Sequence, residues 1–218
     1  MIPRIIHRLW LHPPGPPMPA IFRAYGEQWR TLNPGWEVRD WTSLDAFGPL
    51  ANQQGFDAIR RDLHRYRSSL VRTELLLRYG GVYVDTDMEP LRPIIPLVDG
   101  HVCVLAESAN RGARGQAVLS DSFIAAEPGH PLLAEVVRTL PAAAEHYRGR
   151  HAAVWIGPQH LDRTYRNRTW PGVTVLEPRV LYPQSIAARN AGRPVDLSQC
   201  YAWHHWNNTR RDRGRVRA

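Results

Sequence analysis

The chain has no lysine. All 28 of its basic residues are arginine, set against 20 acidic ones for a formal charge of +8. Such uniformity is what a coding bias produces, so it assigns no role to any one arginine. Cysteine is nearly missing too: Cys103 and Cys200 are too few for a disulfide framework. Cys103 lies in the strand-like His101-Val-Cys-Val-Leu105, where a small core residue is expected. No apolar run approaches the ~18 residues of a membrane span. The opening Met1-Ile-Pro-Arg-Ile-Ile-His lacks the continuous apolar stretch of a signal peptide. A soluble, cytoplasmic protein without a membrane span is the expectation. Internal repeats and low-complexity linkers are also lacking, so 218 residues suggest one domain over 1–210 and a basic C-terminal tail over 211–218. What is plentiful is apolar and aromatic: 43% hydrophobic residues, with eight Trp and eight Tyr, exclude a disordered chain. The positive balance suits phosphate-rich partners, nucleotides and nucleic acid included, without choosing among them.

Nineteen Pro and sixteen Gly imply short elements joined by punctuated loops. Residues 2–11 read as a buried strand with Trp10 at its C-terminal end. A helix over 21–32 carries Ile21, Phe22, Tyr25, Trp29 and Leu32 at helical spacing and stops at Asn33-Pro34-Gly35; a strand over 36–41 follows. That strand–helix–strand unit predicts a parallel, right-handed crossover. A long helix is expected over 57–79, placing Ser69 and Arg72 on one face. Strands are expected over 82–84, 101–105, 122–126, 153–157 and 173–176, and helices over 130–140 and 159–165.

The most informative stretch is Arg78-Tyr-Gly-Gly-Val-Tyr-Val-Asp-Thr-Asp87. A helix breaks at Gly80-Gly81, a short apolar strand follows, and it ends in Asp85 and Asp87. Strand alternation would aim both carboxylates the same way, with Cα atoms roughly 7 Å apart. Two like charges at a half-buried strand end are costly unless a cation lies between them, and a hard divalent ion prefers such oxygen ligands. A solvated acidic turn is the alternative for so short a motif. In open α/β sheets ligands sit beyond the C-terminal ends of strands, where both Trp10 and the aspartates fall.

Six blocks in order give the chain a wider resemblance. They are Ile2-Pro-Arg-Ile-Ile-His-Arg-Leu-Trp10, Asn33-Pro-Gly-Trp-Glu-Val-Arg-Asp-Trp41, the run from Ser68 through Asp87, Phe123-Ile-Ala-Ala-Glu-Pro-Gly-His-Pro131, Gly157-Pro158 and His204-His-Trp206. Together they resemble the glycosyltransferases of family 32, Asp-x-Asp sugar transferases that are mannosyltransferase-like and related to the glucosyltransferase domains of large clostridial toxins. The resemblance implies an α/β fold of GT-A type, a Rossmann-like sandwich whose mostly parallel central sheet has helices on both faces. It implies a nucleoside-diphosphate sugar donor, Mn²⁺ or Mg²⁺ as cofactor, retention at the anomeric carbon, and a hydroxyl acceptor, by default on a glycan. It further implies Asp87, Asp85 and His205 at the metal, and Trp10, Ser69, Arg72, Asp85, His204 and Thr209 at the donor. Asp85, Asp87 and Asp121 would be the catalytic carboxylates, although Asp121 could equally cap a turn. The residues alone leave open which of His204 and His205 meets metal or phosphate.

Two departures stand out. The family often has Asp where this chain has Ser69 in Ser68-Ser-Leu-Val-Arg72, which affects the grip on donor hydroxyls. Asn207-Asn-Thr-Arg210 replaces a small residue followed by Trp. Other readings also follow from the residues. One is the same chemistry on a hydroxymethylated DNA base, suggested by the arginine content. Another is a non-catalytic nucleotide-sugar or polyanion-binding module. A third, a metal-carboxylate phosphohydrolase, would need a second acidic cluster that the sequence does not offer.

Overall fold

The computed structural model describes residues 1–11, 17–45, 47–59, 64–112, 115–147 and 156–207. The first crossover is built as expected: β1 (Ile5–Leu9), α1 (Ala20–Leu32) and β2 (Glu37–Trp41), with β1 and β2 parallel. Helix α1 ends at Asn33, whose Nδ2 donates to the Trp29 carbonyl while its Oδ1 accepts from the Ile94 amide. One side chain thus stops the helix and ties it to a segment sixty residues away.

The expected helix over 57–79 is two helices, α2 (Gln53–Ala58) and α3 (His64–Tyr79). Ile59, extended at φ −77° and ψ 121°, ends α2, and residues 60–63 lie outside the described residues. After α3 the chain reverses at Gly80 and Gly81, both at positive φ (63° and 95°). A Cβ on Gly81 would stand 2.6 Å from the Ile5 carbonyl oxygen, so only glycine lets β3 (Gly81–Val84) start against β1. Then come β4 (Met88–Pro90), α4 (Ile95–Val98), β5 (Cys103–Arg111), β6 (Ala117–Ala126) and α5 (Pro131–His146). The C-terminal part adds α6 (Pro158–Arg166), β7 (Val173–Leu176), α7 (Pro178–Leu181), α8 (Ile186–Asn190) and β8 (Ala202–His204). Of the strand expected over 153–157, residues 153–155 lie outside the described residues, and Ile156 and Gly157 form the bend that caps α6.

Six strands form one sheet in the order β2-β1-β3-β6-β5-β7. Only β6 runs against the others, so the sheet is mostly parallel. Alternation along the central strands sorts the core into two layers. Tyr83, Cys103, Leu105, Ile124 and Ala126 pack on one face with Leu70 and Leu75 of α3 and Leu133 of α5. Val82, Val84, Val104, Ala106, Phe123 and Ala125 pack on the other with Trp29 of α1 and Leu97 of α4. Helices therefore cover both faces, as expected. β4 and β8 pair antiparallel as a separate ribbon. Among the described residues no helix is long and apolar enough to cross a membrane.

β1 also buries His7. Its Nδ1 accepts from the Trp41 indole N–H, a donor-only group, so the imidazole is neutral with its proton on Nε2, which donates to the Gly80 carbonyl. Burial pushes the His7 pKa down from 6.5 to about 4, against the opposing pull of the Gly80 bond. The stability this neutral form supplies is complete above the unfolded pKa near 6.5 and is lost as pH falls toward 4. That loss amounts to about 3 kcal/mol at most. The urea midpoint is expected to hold steady between pH 7 and 8 and to decline below 6.5. His7→Gln should flatten that decline; an unchanged slope in the variant would remove His7 as its source.

Candidate active site at the Asp85–Asp87 turn

β3 ends at Val84, so Asp85 and Asp87 are not successive same-face residues of a strand, as the spacing suggested. They occupy a turn. Asp85 N–H donates to the Ser122 carbonyl (2.9 Å), extending the β3–β6 ladder by one bond, and Met88 N–H closes back on the Asp85 carbonyl (3.0 Å). The turn, rather than pleat alternation, brings both carboxylates to one side, and there they meet His204. Oxygens from the two aspartates and a ring nitrogen of His204 all lie within 4.8 Å of one another.

Each carboxylate is divided in its duties. Asp85 Oδ1 accepts from the Tyr83 hydroxyl (2.7 Å) and lies 3.1 Å from Arg72 Nη2, while Oδ2 faces His204 Nε2 at 3.4 Å. Asp87 Oδ2 accepts from the Asn207 amide (2.7 Å), while Oδ1 faces the same nitrogen at 3.1 Å. Asp87 Oδ1 and His204 Nε2 are close but not aligned as a hydrogen bond, and among the described residues both are buried without one. Buried polar atoms left unaligned at such distances are costly unless a further partner joins them. The donor set fits a divalent ion: two carboxylate oxygens and an imidazole nitrogen converge, and each aspartate is held from behind by a hydrogen-bonded neighbour.

Electrostatics point the same way. Arg72, buried on α3, reaches Asp85 with Nη2, while Nη1 donates to the Asp121 carbonyl and lies 3.5 Å from Asp121 Oδ2. Its guanidinium lies over the Tyr83 ring at 4.4 Å. Burial alone would raise the pKa of Asp85, but Arg72, His204 and Tyr83 hold it well below the usual carboxylate range. Asp121, for which burial outweighs Arg72, is shifted upward. Burial opposes the charged form of His204, but the attraction of Asp87 and Asp85 prevails and raises it to about 9. Arg72 thus answers Asp85 and Asp121, while Asp87 and Asp85 face His204, where a proton on the ring or a divalent ion beside it offsets negative charge that Arg72 leaves over.

The expected residues can now be placed. Asp85, Asp87, Arg72, Asp121, Ser69 and His204 are brought together. Ser69 Oγ donates to Asp121 Oδ2 (2.8 Å), and a Cβ at Gly157 would come within 3.1 Å of Ser69 Oγ and 3.3 Å of Asp121 Oδ2. An aspartate in place of Ser69 would face Asp121 as a like charge; the serine hydroxyl satisfies it instead. His205, expected at the metal, is placed elsewhere. Its Nε2 pairs with Glu89 Oε2 (2.7 Å), and its ring stacks on Tyr25 (centroids 5.7 Å apart, planes 9°). Neighbours on an extended segment face opposite ways, and pairing of Met88 with His204 turns His204 to the carboxylates. Trp10 follows β1 and is 7% exposed, packed edge-on to Phe22 (5.7 Å, 67°) in a cluster with Met18 and Tyr25. Thr209 lies outside the described residues.

Sequence reasoning passed over Tyr83, Glu89 and Asn207. Tyr83 reads as core in an apolar strand, although it stands two residues before Asp85 and on the same face, which was the available signal. Asn207 was visible only as a departure from the family block. Its amide reaches Asp87 because Trp206, a bulky residue, takes the left-handed conformation (φ 53°), a conformation that tends to mark functional sites.

A mostly parallel α/β sheet with an Asp-x-Asp turn beyond the C-terminal end of a central strand is the arrangement of the GT-A fold. Residues 19–104 match the family model described as the glycosyltransferase sugar-binding region containing a DXD motif. The chain is 28% identical over 224 residues to inositol phosphoceramide mannosyltransferase 3 of Schizosaccharomyces pombe, covering 94% of this chain and 60% of that protein. It is 31% identical over 164 residues to lactosylceramide 4-alpha-galactosyltransferase of Rattus norvegicus, covering 64% of this chain and 40% of that one. Among solved structures, the PaToxG glycosyltransferase superposes with a TM-score of 0.61 at 14% identity, over 76% of this chain and 69% of that one. A glycosyltransferase involved in glycosylation of the major capsid of PBCV-1 gives 0.54 at 11% identity, over 96% and 95%. The chain is thus similar to DXD-motif glycosyltransferases, with the family model matching over residues 19–104.

The placement of the histidines makes a test. His204→Ala should weaken Mn²⁺ binding by at least roughly tenfold, and His205→Ala much less, as titrated by the loss of free-ion paramagnetic resonance. Equal losses would mean that the ion is shared by both rings.

Proposed function

We propose that this protein is a metal-dependent, retaining glycosyltransferase that moves a sugar from a nucleoside-diphosphate sugar to a hydroxyl of a carbohydrate acceptor. The observation that carries the reading is the convergence of Asp85 Oδ2, Asp87 Oδ1 and His204 Nε2, with the last two buried and lacking a hydrogen bond among the described residues. A divalent ion, Mn²⁺ or Mg²⁺, would be held by these atoms and would supply positive charge to the diphosphate as it departs.

The chain's own residues do the rest. Arg72 holds Asp85 and the backbone of Asp121 together, which would reduce the ordering needed when a donor binds. Asp121, held by Ser69, would supply a negative charge to stabilise positive charge developing on the donor sugar. Trp10, Phe22 and Tyr25 supply an aromatic wall on which the donor's base would rest, and Tyr25 stacks on His205 beside the turn. Thr209 is proposed as a further hydroxyl contact to the donor. With retention, the departing phosphate oxygen takes the acceptor's proton, so the reading needs no separate carboxylate base.

The two relatives are named for transfer of mannose to inositol phosphoceramide and of galactose to lactosylceramide. They favour a glycan hydroxyl over a nucleic-acid one. This chain covers only part of their lengths, so the acceptor is proposed by class and not by name.

Pure protein incubated with Mn²⁺ and a panel of nucleotide sugars should release nucleotide from one donor. Asp87→Ala should abolish that release while leaving the thermal midpoint within a few degrees. Turnover that is the same in both proteins would remove the metal from the mechanism. Sugar transfer to duplex DNA, abolished by moderate salt, would replace the glycan acceptor with a nucleic-acid one.

A further inference from the structure

We propose that Arg8 is a positioning residue for the Asp85–Asp87 turn, holding the Thr86 carbonyl so that both carboxylates stay directed at the ion; the inference rests on the metal site proposed above. The turn's four carbonyls each have a donor, and the donors come from different parts of the fold. Met88 N–H takes the Asp85 carbonyl, His205 N–H takes that of Asp87 (3.2 Å), and the Trp29 indole takes that of Met88 (3.2 Å). The remaining one, Thr86, is reached by Arg8 Nη2 at 3.4 Å. Arg8 is the charged donor of the four, and it acts on the peptide that directly precedes Asp87. Because that peptide is planar, fixing its carbonyl fixes the N–Cα bond of Asp87, on which the side chain is carried.

The chain goes to some length to place this guanidinium. Arg8 is wholly buried, on the face of β1 that looks toward α1. Nη1 pairs with Asp40 Oδ1 on β2 (2.8 Å), and Nη2 also donates to the Phe22 carbonyl inside α1. It passes α1 at Gly26, where a Cβ would fall 1.9 Å from Nη1. Glycine is among the poorest residues for a helix interior, and Gly26 is one of the four buried positions of this helix. Its retention there is explained by the space the guanidinium occupies. A salt bridge serving only to join β1 to β2 would need neither the reach to Thr86 nor the gap in α1.

The test separates positioning from simple cross-linking. Mn²⁺ affinity, followed by paramagnetic resonance, and thermal stability are measured for wild type, Asp87→Ala, Arg8→Gln, Gly26→Ala and Asp40→Asn. The expectation is that Arg8→Gln weakens Mn²⁺ binding roughly tenfold, the size typical of residues that orient metal ligands. Gly26→Ala, which displaces the guanidinium without removing its charge, should weaken binding in the same direction while the helix itself is favoured. Asp40→Asn, which loosens the guanidinium on the side away from the turn, should lower thermal stability and weaken Mn²⁺ binding less than Arg8→Gln does. Should Arg8→Gln fail to fold, Gly26→Ala decides. Wild-type affinity in Gly26→Ala and Arg8→Gln, or an equal loss in Asp40→Asn, overturns the positioning role while leaving the metal site standing. A wild type that binds Mn²⁺ no better than Asp87→Ala overturns the site itself, and this inference with it.

Discussion

Three carboxylates, Asp85, Asp87 and Asp121, are packed together inside the fold, and the arrangement around them follows from the cost of doing so. Charges removed from water must be paired and hydrogen-bonded or they lose their charge. Arg72 answers two of them at once, bridging Asp85 and Asp121 from the middle of α3. Tyr83 and Ser69 hydroxyls satisfy single oxygens, and the Asn207 amide satisfies one oxygen of Asp87. What these partners leave over is specific: one oxygen from each aspartate of the turn, with one imidazole nitrogen opposite. A protein selected only for stability would have closed that gap with a hydrogen bond.

The topology explains how residues far apart in sequence meet there. β3 and β6 run antiparallel at the centre of the sheet, so the C-terminal end of β3 lies beside Ser122 and Asp121. Helix α3 feeds β3 through the Gly80–Gly81 reversal, and this fixes Arg72 and Ser69 over the same strand end. The β4–β8 ribbon then returns the C-terminal part of the chain to the turn, placing His204 opposite Met88. The site is therefore assembled over long range, and its geometry depends on a ribbon of three residues per strand.

That dependence accounts for how much could be read from the residues. The β1–α1–β2 unit, α5 and β7 were legible because each is long enough, or patterned enough, to display a period. The carboxylate pair, Arg72 and Ser69 were legible because the chain makes them near neighbours. β4 and β8 run only three residues, and α4, α7 and α8 four or five, little more than one helical turn, so none shows a period of its own. For the same reason the two histidines could not be told apart: alternation says that only one faces the carboxylates, while the pairing register, invisible in the sequence, says which. The split of the long helix at Ile59 was hidden because apolar spacing continues across the break.

Crystals grown in Mn²⁺ and mapped by the anomalous signal of the ion test the central claim most directly. The account predicts one strong peak within bonding distance of Asp85 Oδ2, Asp87 Oδ1 and His204 Nε2, lost in Asp87→Ala. A peak between His205 and Glu89 instead, or no peak at the turn at saturating ion, would contradict it.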